Sequence, residues 1–157
     1  MIDNKYAKFA QYVETGIDPI RRSGIRLLEC RDRHVKLFLP LEPNKNHLNI
    51  MYAGSLCTLA EMSGGAIFGV CFDYFKYVPI VKKIEVRFVK PGLTDVTLVV
   101  SLTEDQVGAI LKVLEEKGKS DFTLELEIKD TVGDTVVRAT GLYQVRNIPE
   151  GLKNPLA

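Results

Sequence analysis

The sequence predicts an α+β fold in which a curved antiparallel β-sheet wraps around a long central α-helix. Three observations carry this. The segment 54–72, GSLCTLAEMSGGAIFGVCF, is long, rich in small residues and apolar on nearly every side, the pattern of a helix buried all round. Beyond Pro79 the hydrophobic period changes to two, the signature of strands with one wet face. The strand patterns come in runs, with helices set apart from them, which argues against alternating βαβ units.

The elements follow in order. Residues 3–15 read as an amphipathic helix, with Asp3 as cap, Tyr6, Phe9, Ala10 and Val13 as stripe and Gly16 after the end. Residues 25–30 and 34–39 read as strands joined at Arg31-Asp32-Arg33. A polar loop from Pro40 carries Asn44, Asn46 and Asn49, and the long apolar segment follows. Within it Gly64 and Gly65 each cost about 1 kcal/mol against Ala, so a close approach is expected there. Ile84, Val86 and Phe88 alternate with Lys83, Glu85 and Arg87 up to Lys90-Pro91-Gly92. A strand at 95–102 leads to Thr103-Glu-Asp-Gln106, which has capping-box form and opens a helix ending at Gly118. Residues 122–129 alternate strictly, turn at 131–134, and pair as a hairpin with a last strand from Thr135 to Val145.

The chain has 157 residues, one domain by length, read as 1–157 with an N-terminal helix and lead-in at 1–18 and a tail at 147–157. Lys and Arg number 21 against 20 Asp and Glu, a net charge of +1, so no global basic field for nucleic acid exists. Cys30, Cys57 and Cys71 are odd in number and lack CxxC spacing, which disfavours a disulfide framework or a structural zinc site. Reduced thiols and an N-terminus without an apolar h-region predict a cytoplasmic protein. The uncharged run 48–60 is too short to span a bilayer, so no membrane partner is expected. No P-loop, GxGxxG or metal-ligand cluster occurs; the expectation is no metal, nucleotide or other cofactor.

Glu61 is the only charged residue between Gly54 and Phe72. A carboxylate in a buried helix is expensive unless paired. Either it bonds a strand Lys or Arg, or it is a general base or nucleophile with a raised pKa. Gly54 stands at the helix start, where unpaired N–H groups favour developing negative charge, although a tight turn would also explain it. The two are seven residues apart, hence on one face but about 10 Å apart along the axis. One acyl carbonyl is not expected to touch both groups of a single helix. An antiparallel pair of helices in a symmetric dimer would bring Gly54 of one chain to Glu61 of the other, twice.

The stretch Tyr52-Ala-Gly54-Ser-Leu-Cys-Thr-Leu-Ala-Glu61 resembles the signature of hotdog-fold acyl-CoA thioesterases, in which His-Gly-Gly is followed seven residues later by Asp or Glu. The phenylacetyl-CoA type and related uncharacterised branches are most similar. The resemblance extends through the element order over residues 20–146 and includes IEVRFVKPG at 84–92. It implies an acyl-CoA thioesterase, dimeric or tetrameric, in which Glu61 activates water or attacks the thioester carbonyl and the Gly54 N–H faces the thioester oxygen. Asn46 and Asn49 resemble loop residues able to contact the acyl carbonyl or the water. Tyr52 stands where His is frequent and Ala53 where the first Gly is frequent, so if the His polarises the carbonyl, either Tyr52 substitutes by its hydroxyl or the turn alone suffices.

Thr58, three positions before Glu61, shares its face and is a candidate partner for the carboxylate or the water. Ser63 points elsewhere, and Ser55 is a helix-start residue. GxSxG is absent and His34 is expected on a strand or turn surface. Coenzyme A, as part of the substrate, carries phosphates; among Lys82, Lys83, Arg87 and Lys90, Lys90 is the best single candidate, with a solvated strand face as the competing reading. Two other functions fit the pattern: a non-catalytic acyl-CoA binding or sensing module, and a hotdog hydratase or dehydratase.

Overall fold

The computed structural model describes residues 1–152. Six antiparallel strands form one sheet in the order β1-β2-β4-β5-β6-β3, with β1 and β3 at its edges. The strands are β1 (Arg26–Arg31), β2 (His34–Leu39), β3 (Tyr77–Phe88), β4 (Val96–Ser101), β5 (Lys119–Asp130) and β6 (Thr135–Asn147). The helices are α1 (Ala7–Thr15), α2 (Asp18–Ser23), α3 (Ala53–Cys71) and α4 (Glu104–Lys117). The sheet curls around α3, which packs against β2, β3, β4, β5 and β6. This is the hotdog arrangement, as the pattern and the resemblance both implied.

Local sequence explains most of the frame. In β5, Phe122, Leu124, Leu126 and Ile128 are buried while every intervening residue is exposed. Asp130 ties the hairpin that follows, accepting from the N–H groups of Val132 (3.1 Å) and Asp134 (2.9 Å) while Gly133 adopts φ +93°. The capping box at α4 is formed: Gln106 N donates to Thr103 Oγ1 at 3.2 Å and Thr103 N to Gln106 Oε1 at 2.8 Å. Gly118, left-handed at φ +69°, ends that helix.

Several expectations are corrected. The N-terminal helix begins as a 3-10 turn at Asn4–Tyr6, and Asp3 makes no side-chain cap. The helix α2 was not anticipated, although Asp18-Pro19 is a start signal and Gly24, at φ +73°, a stop. The strand read from Ile84 starts at Tyr77; Pro79 is tolerated because β3 is an edge. Its apolar residues are not on a buried face: Ile84 and Val86 are half-buried and Phe88 is 48% exposed. The final strand runs to Asn147, into the expected tail, and residues 153–157 of that tail lie outside the described residues.

The largest correction concerns α3. Its 19 residues are long and apolar enough to cross a membrane, by length and composition. Instead the helix lies within the sheet, but it is not buried all round. Leu56, Leu59, Ala60, Ser63, Ala66 and Ile67 face inward, whereas Gly54, Thr58, Glu61 and Gly65 form a stripe that the chain's own sheet leaves uncovered. The paired glycines divide between these faces. A Cβ on Gly64 would lie 1.9 Å from Tyr143 Cε1, so the ring of Tyr143 occupies that space. A Cβ on Gly65 would meet nothing within 4 Å.

Gly64→Ala is therefore expected to destabilise the fold by about 1–3 kcal/mol through overpacking, despite its better helix propensity. Gly65→Ala should not destabilise it. Chemical denaturation of both variants checks this; equal effects would refute the assignment of the two faces.

Candidate active site

The loop before α3 is built from its asparagines. Asn44 is buried and donates from Nδ2 to the carbonyls of Ser23 (2.7 Å) and Pro40 (2.8 Å). Asn46 Oδ1 accepts from Leu48 N at 2.8 Å and Ile50 N at 3.4 Å. Asn49 takes the left-handed region at φ +57°, which Asn tolerates better than most residues. Tyr52 N then donates to Asn44 O (2.7 Å) and Met51 N to Gly92 O (2.8 Å), so the start of α3 is held from both sides.

At that start the amides of Ser55 and Leu56 are directed to Tyr52 O. Those of Ala53 and Gly54 have no partner among the described residues, and Tyr52 offers no side-chain cap. The helix therefore presents free N–H donors at its positive end. The Tyr52 ring folds over Gly54: a Cβ there would lie 2.4 Å from Cε1 and 3.1 Å from the hydroxyl. Gly54 is thus needed for this packing, and Tyr52, 57% exposed, lays its ring and hydroxyl over Gly54. Asn46 and Lys90 line a cavity of about 360 Å³ here, together with Ala53, Leu56 and Phe88.

Glu61 lies two turns further along. It makes no ion pair and no side-chain hydrogen bond among the described residues, so the strand Lys or Arg that a structural role would use is not there. It lines a separate cavity of about 370 Å³ whose other walls include Phe9, Val13, Met62, Phe68 and Val78. The residue as a whole is exposed on the isolated chain, yet this apolar surrounding withdraws water from the carboxyl group and pushes its pKa up.

Other expected residues have different neighbours. Thr58 Oγ1 donates to Gly54 O at 2.8 Å rather than to Glu61. Ser63, left out of the site, is buried and bonds Ala60 O. Lys90 is held by Asp130 and Asp134, each at 2.7 Å, which raises its pKa and leaves its ammonium already neutralised. Lys82 pairs with Asp121 at 2.6 Å and Lys83 with Glu85 at 2.9 Å. Burial pushes the thiol of Cys30 up to about 11 and that of Cys71 up to about 12, which disfavours thiolate chemistry.

One arrangement escaped the sequence. His34 Nδ1 lies 2.8 Å from Ser101 Oγ and its Nε2 lies 2.8 Å from Glu29 Oε2. The three residues sit on β2, β4 and β1, and only strand register brings them together. Ser101 lines neither cavity, and Glu29 is shared with Arg31 and Lys36, so this is a cross-strand polar network without a substrate position.

Residues 10–145 match the family model described as Domain of unknown function (DUF4442). No functionally curated protein matches the chain. A protein of unknown function from Pseudomonas aeruginosa, described as a probable thioesterase, is 34% identical, with TM-score 0.87, over 94% of this chain and 99% of that one. A protein with unknown function from Chlorobaculum tepidum is 18% identical with TM-score 0.78, over 90% and 93% of the two chains. A Haemophilus influenzae thioesterase is 13% identical with TM-score 0.70, over 92% of each chain. The last two likenesses speak for the fold.

The raised pKa of Glu61 has a definite sign in stability. Between its unfolded value near 4.5 and its higher folded value, the folded chain holds the proton more tightly, so stability falls as pH rises through that window. Glu61→Gln should gain on the wild type above about pH 4.5 and hold a constant advantage above the folded pKa. Denaturation across pH checks this, and a pH-independent difference would count against an unpaired carboxylate.

Proposed function

We infer that this chain, a member of the DUF4442 family, is an acyl-CoA thioesterase whose site is completed by a second copy of itself. The observation that carries the reading is Glu61, an unpaired carboxylate with a raised pKa beside an apolar cavity, on the same stripe as the free Gly54 amide. Similarity to the P. aeruginosa protein described as a probable thioesterase supports it.

A second copy is called for by two features. The uncovered stripe of α3 adjoins β3, an edge strand of 12 residues that exposes Ile80 and Val81. A long apolar edge is an aggregation hazard unless covered. Two-fold pairing of β3 edges would cover both features and lay the α3 helices side by side. Glu61 would then approach Gly54 of the partner subunit, which a single helix cannot arrange.

In the reaction, Glu61 takes a proton from water as the water oxygen bonds to the thioester carbonyl carbon. Negative charge moves to the carbonyl oxygen, where Gly54 N–H of the partner subunit donates to it, a contribution of about 3 kcal/mol for one such donor. The carbon–sulfur bond then breaks, and the thiolate leaves with the proton from Glu61. Attack by Glu61 itself, through an anhydride, uses the same geometry. Tyr52 and Asn46 flank the oxyanion position; Asn46 retains its Nδ2 donors, since only Oδ1 serves the loop. Asn49 and Thr58 support the site through backbone shape. Lys90 would meet a coenzyme A phosphate only by leaving Asp130 and Asp134. No metal or separate cofactor enters this chemistry.

The test is release of free thiol from a panel of acyl-CoAs, with oligomeric state measured in parallel. The wild type should turn over as a dimer or tetramer. Glu61→Gln should stay folded and lose about 10²–10⁴-fold in kcat, the range for removal of a general base. Binding without turnover by the wild type would indicate a sensing module, and hydration of crotonyl-CoA a hydratase.

A further inference from the structure

The apolar cavity beside Glu61 has a shape and lining that reach beyond the reacting carbon. It starts at Glu61 and runs along the uncovered face of α3 through Gly65 to Phe68, about 10 Å of helix. Its far wall is not part of the sheet. It is supplied by the N-terminal helix α1 through Phe9, Tyr12 and Val13, and by Ile17 just beyond. Among its described lining residues there is no Lys, Arg or His, and Glu61 is the only ionisable carboxyl group. The missing side chain at Gly65 leaves space: a Cβ there would touch nothing within 4 Å.

The geometry points to this cavity as the acyl-group pocket, taking a neutral apolar acyl chain of medium length, with Gly65 setting its depth and Ile17 its outer end. The inference rests on the thioesterase reading for its chemistry, but the pocket itself is a binding claim. Size gives the class: about 370 Å³ accommodates about 8–12 non-hydrogen atoms when each takes roughly the 30 Å³ share of a liquid-water molecule. Charge gives the rest. A malonyl or succinyl group would place a second carboxylate beside Glu61 with no cation to answer it. An acetyl group would leave most of the cavity wall without contacts.

Gly65→Leu puts four carbon atoms into the space along the chain's path; because Gly65 lies on the stripe that the second copy would cover, the oligomeric state of this variant is measured alongside, and the change from glycine favours the helix. Ile17, 43% exposed, can be cut to Ala with little effect on folding, which opens the outer end. The experiment measures kcat/KM for acetyl-, hexanoyl-, decanoyl-, palmitoyl- and malonyl-CoA, and binding of decanoyl-CoA by calorimetry, for the wild type and both variants. Decanoyl-CoA should exceed acetyl- and malonyl-CoA by at least about tenfold, since even one methylene in an apolar pocket is worth roughly 10-fold or more. Gly65→Leu should move the optimum toward hexanoyl-CoA and weaken decanoyl-CoA binding. Ile17→Ala should raise the palmitoyl-to-decanoyl ratio. Hydrolysis with a flat chain-length profile, or a profile that Gly65→Leu leaves in place, overturns the pocket and spares the thioesterase. Decanoyl-CoA binding that Gly65→Leu weakens, without turnover of any acyl-CoA, supports the pocket and overturns the thioesterase.

Discussion

The ring of Tyr143 lies where Gly64 has no side chain, and its hydroxyl reaches the carbonyls of Ala60 at 3.0 Å and Glu61 at 3.4 Å. This contact ties the middle of α3 to β6 and sets the rotation of the helix inside the sheet. Everything at the site depends on that angle. Turned by one residue, about 100°, the helix would carry Glu61 off the uncovered stripe and bring Met62 or Ala60 into its place. The contact is fully desolvated, which pushes the Tyr143 hydroxyl up to about 12 and keeps it a donor at any ordinary pH. Phe122 stacks on the same ring with centroids 5.5 Å apart, so the pin is itself packed.

The second fixed point is the loop before α3. Asn44 acts through the chain's interior, Asn46 through its own turn and Asn49 through its backbone angle. These contacts are structural, and together they present the Ala53 and Gly54 amides without a cap. An ordinary helix start would place Ser, Thr or Asp before Ala53 and satisfy one of those donors. Tyr52 stands there instead and leaves them open, which costs stability at the helix end and provides an anion-seeking position.

Much of this was legible in the residues. Alternation in β5 and the Thr103–Gln106 box are local patterns, and local patterns translate directly into elements. Glu61 was legible as an anomaly because charge in an apolar run has few explanations. What was not legible depended on long-range register. Lys90 meets Asp130 and Asp134 only once β3 pairs with β6 and the hairpin folds, so a free cation in the sequence is a neutralised one in the fold. The Ser101, His34 and Glu29 network arises from three strands in register. The apolar face of β3 and the outward stripe of α3 read as core because composition records that a surface is to be covered, not which molecule covers it.

That ambiguity bears on why Glu61 is there at all. A carboxylate that merely decorated a solvated helix face would sit among polar neighbours, and its pKa would have no reason to rise. A carboxylate with a structural role would have a cation, and 12 Lys or Arg ion pairs elsewhere among the described residues show that such partners are found for many of its other acids. Glu61 has apolar walls on one side and an open stripe on the other. The folded chain therefore holds it at a loss of stability at neutral pH. Under the proposed mechanism such a loss is what a general base requires: an under-solvated carboxylate is a stronger proton acceptor, and a cation that stabilised it would weaken it. The same reasoning explains the neighbouring void at Gly65. On the proposed reading, an apolar space beside an under-solvated carboxylate leaves both groups unsatisfied in the free chain, and a thioester with an oily acyl chain would satisfy both at once.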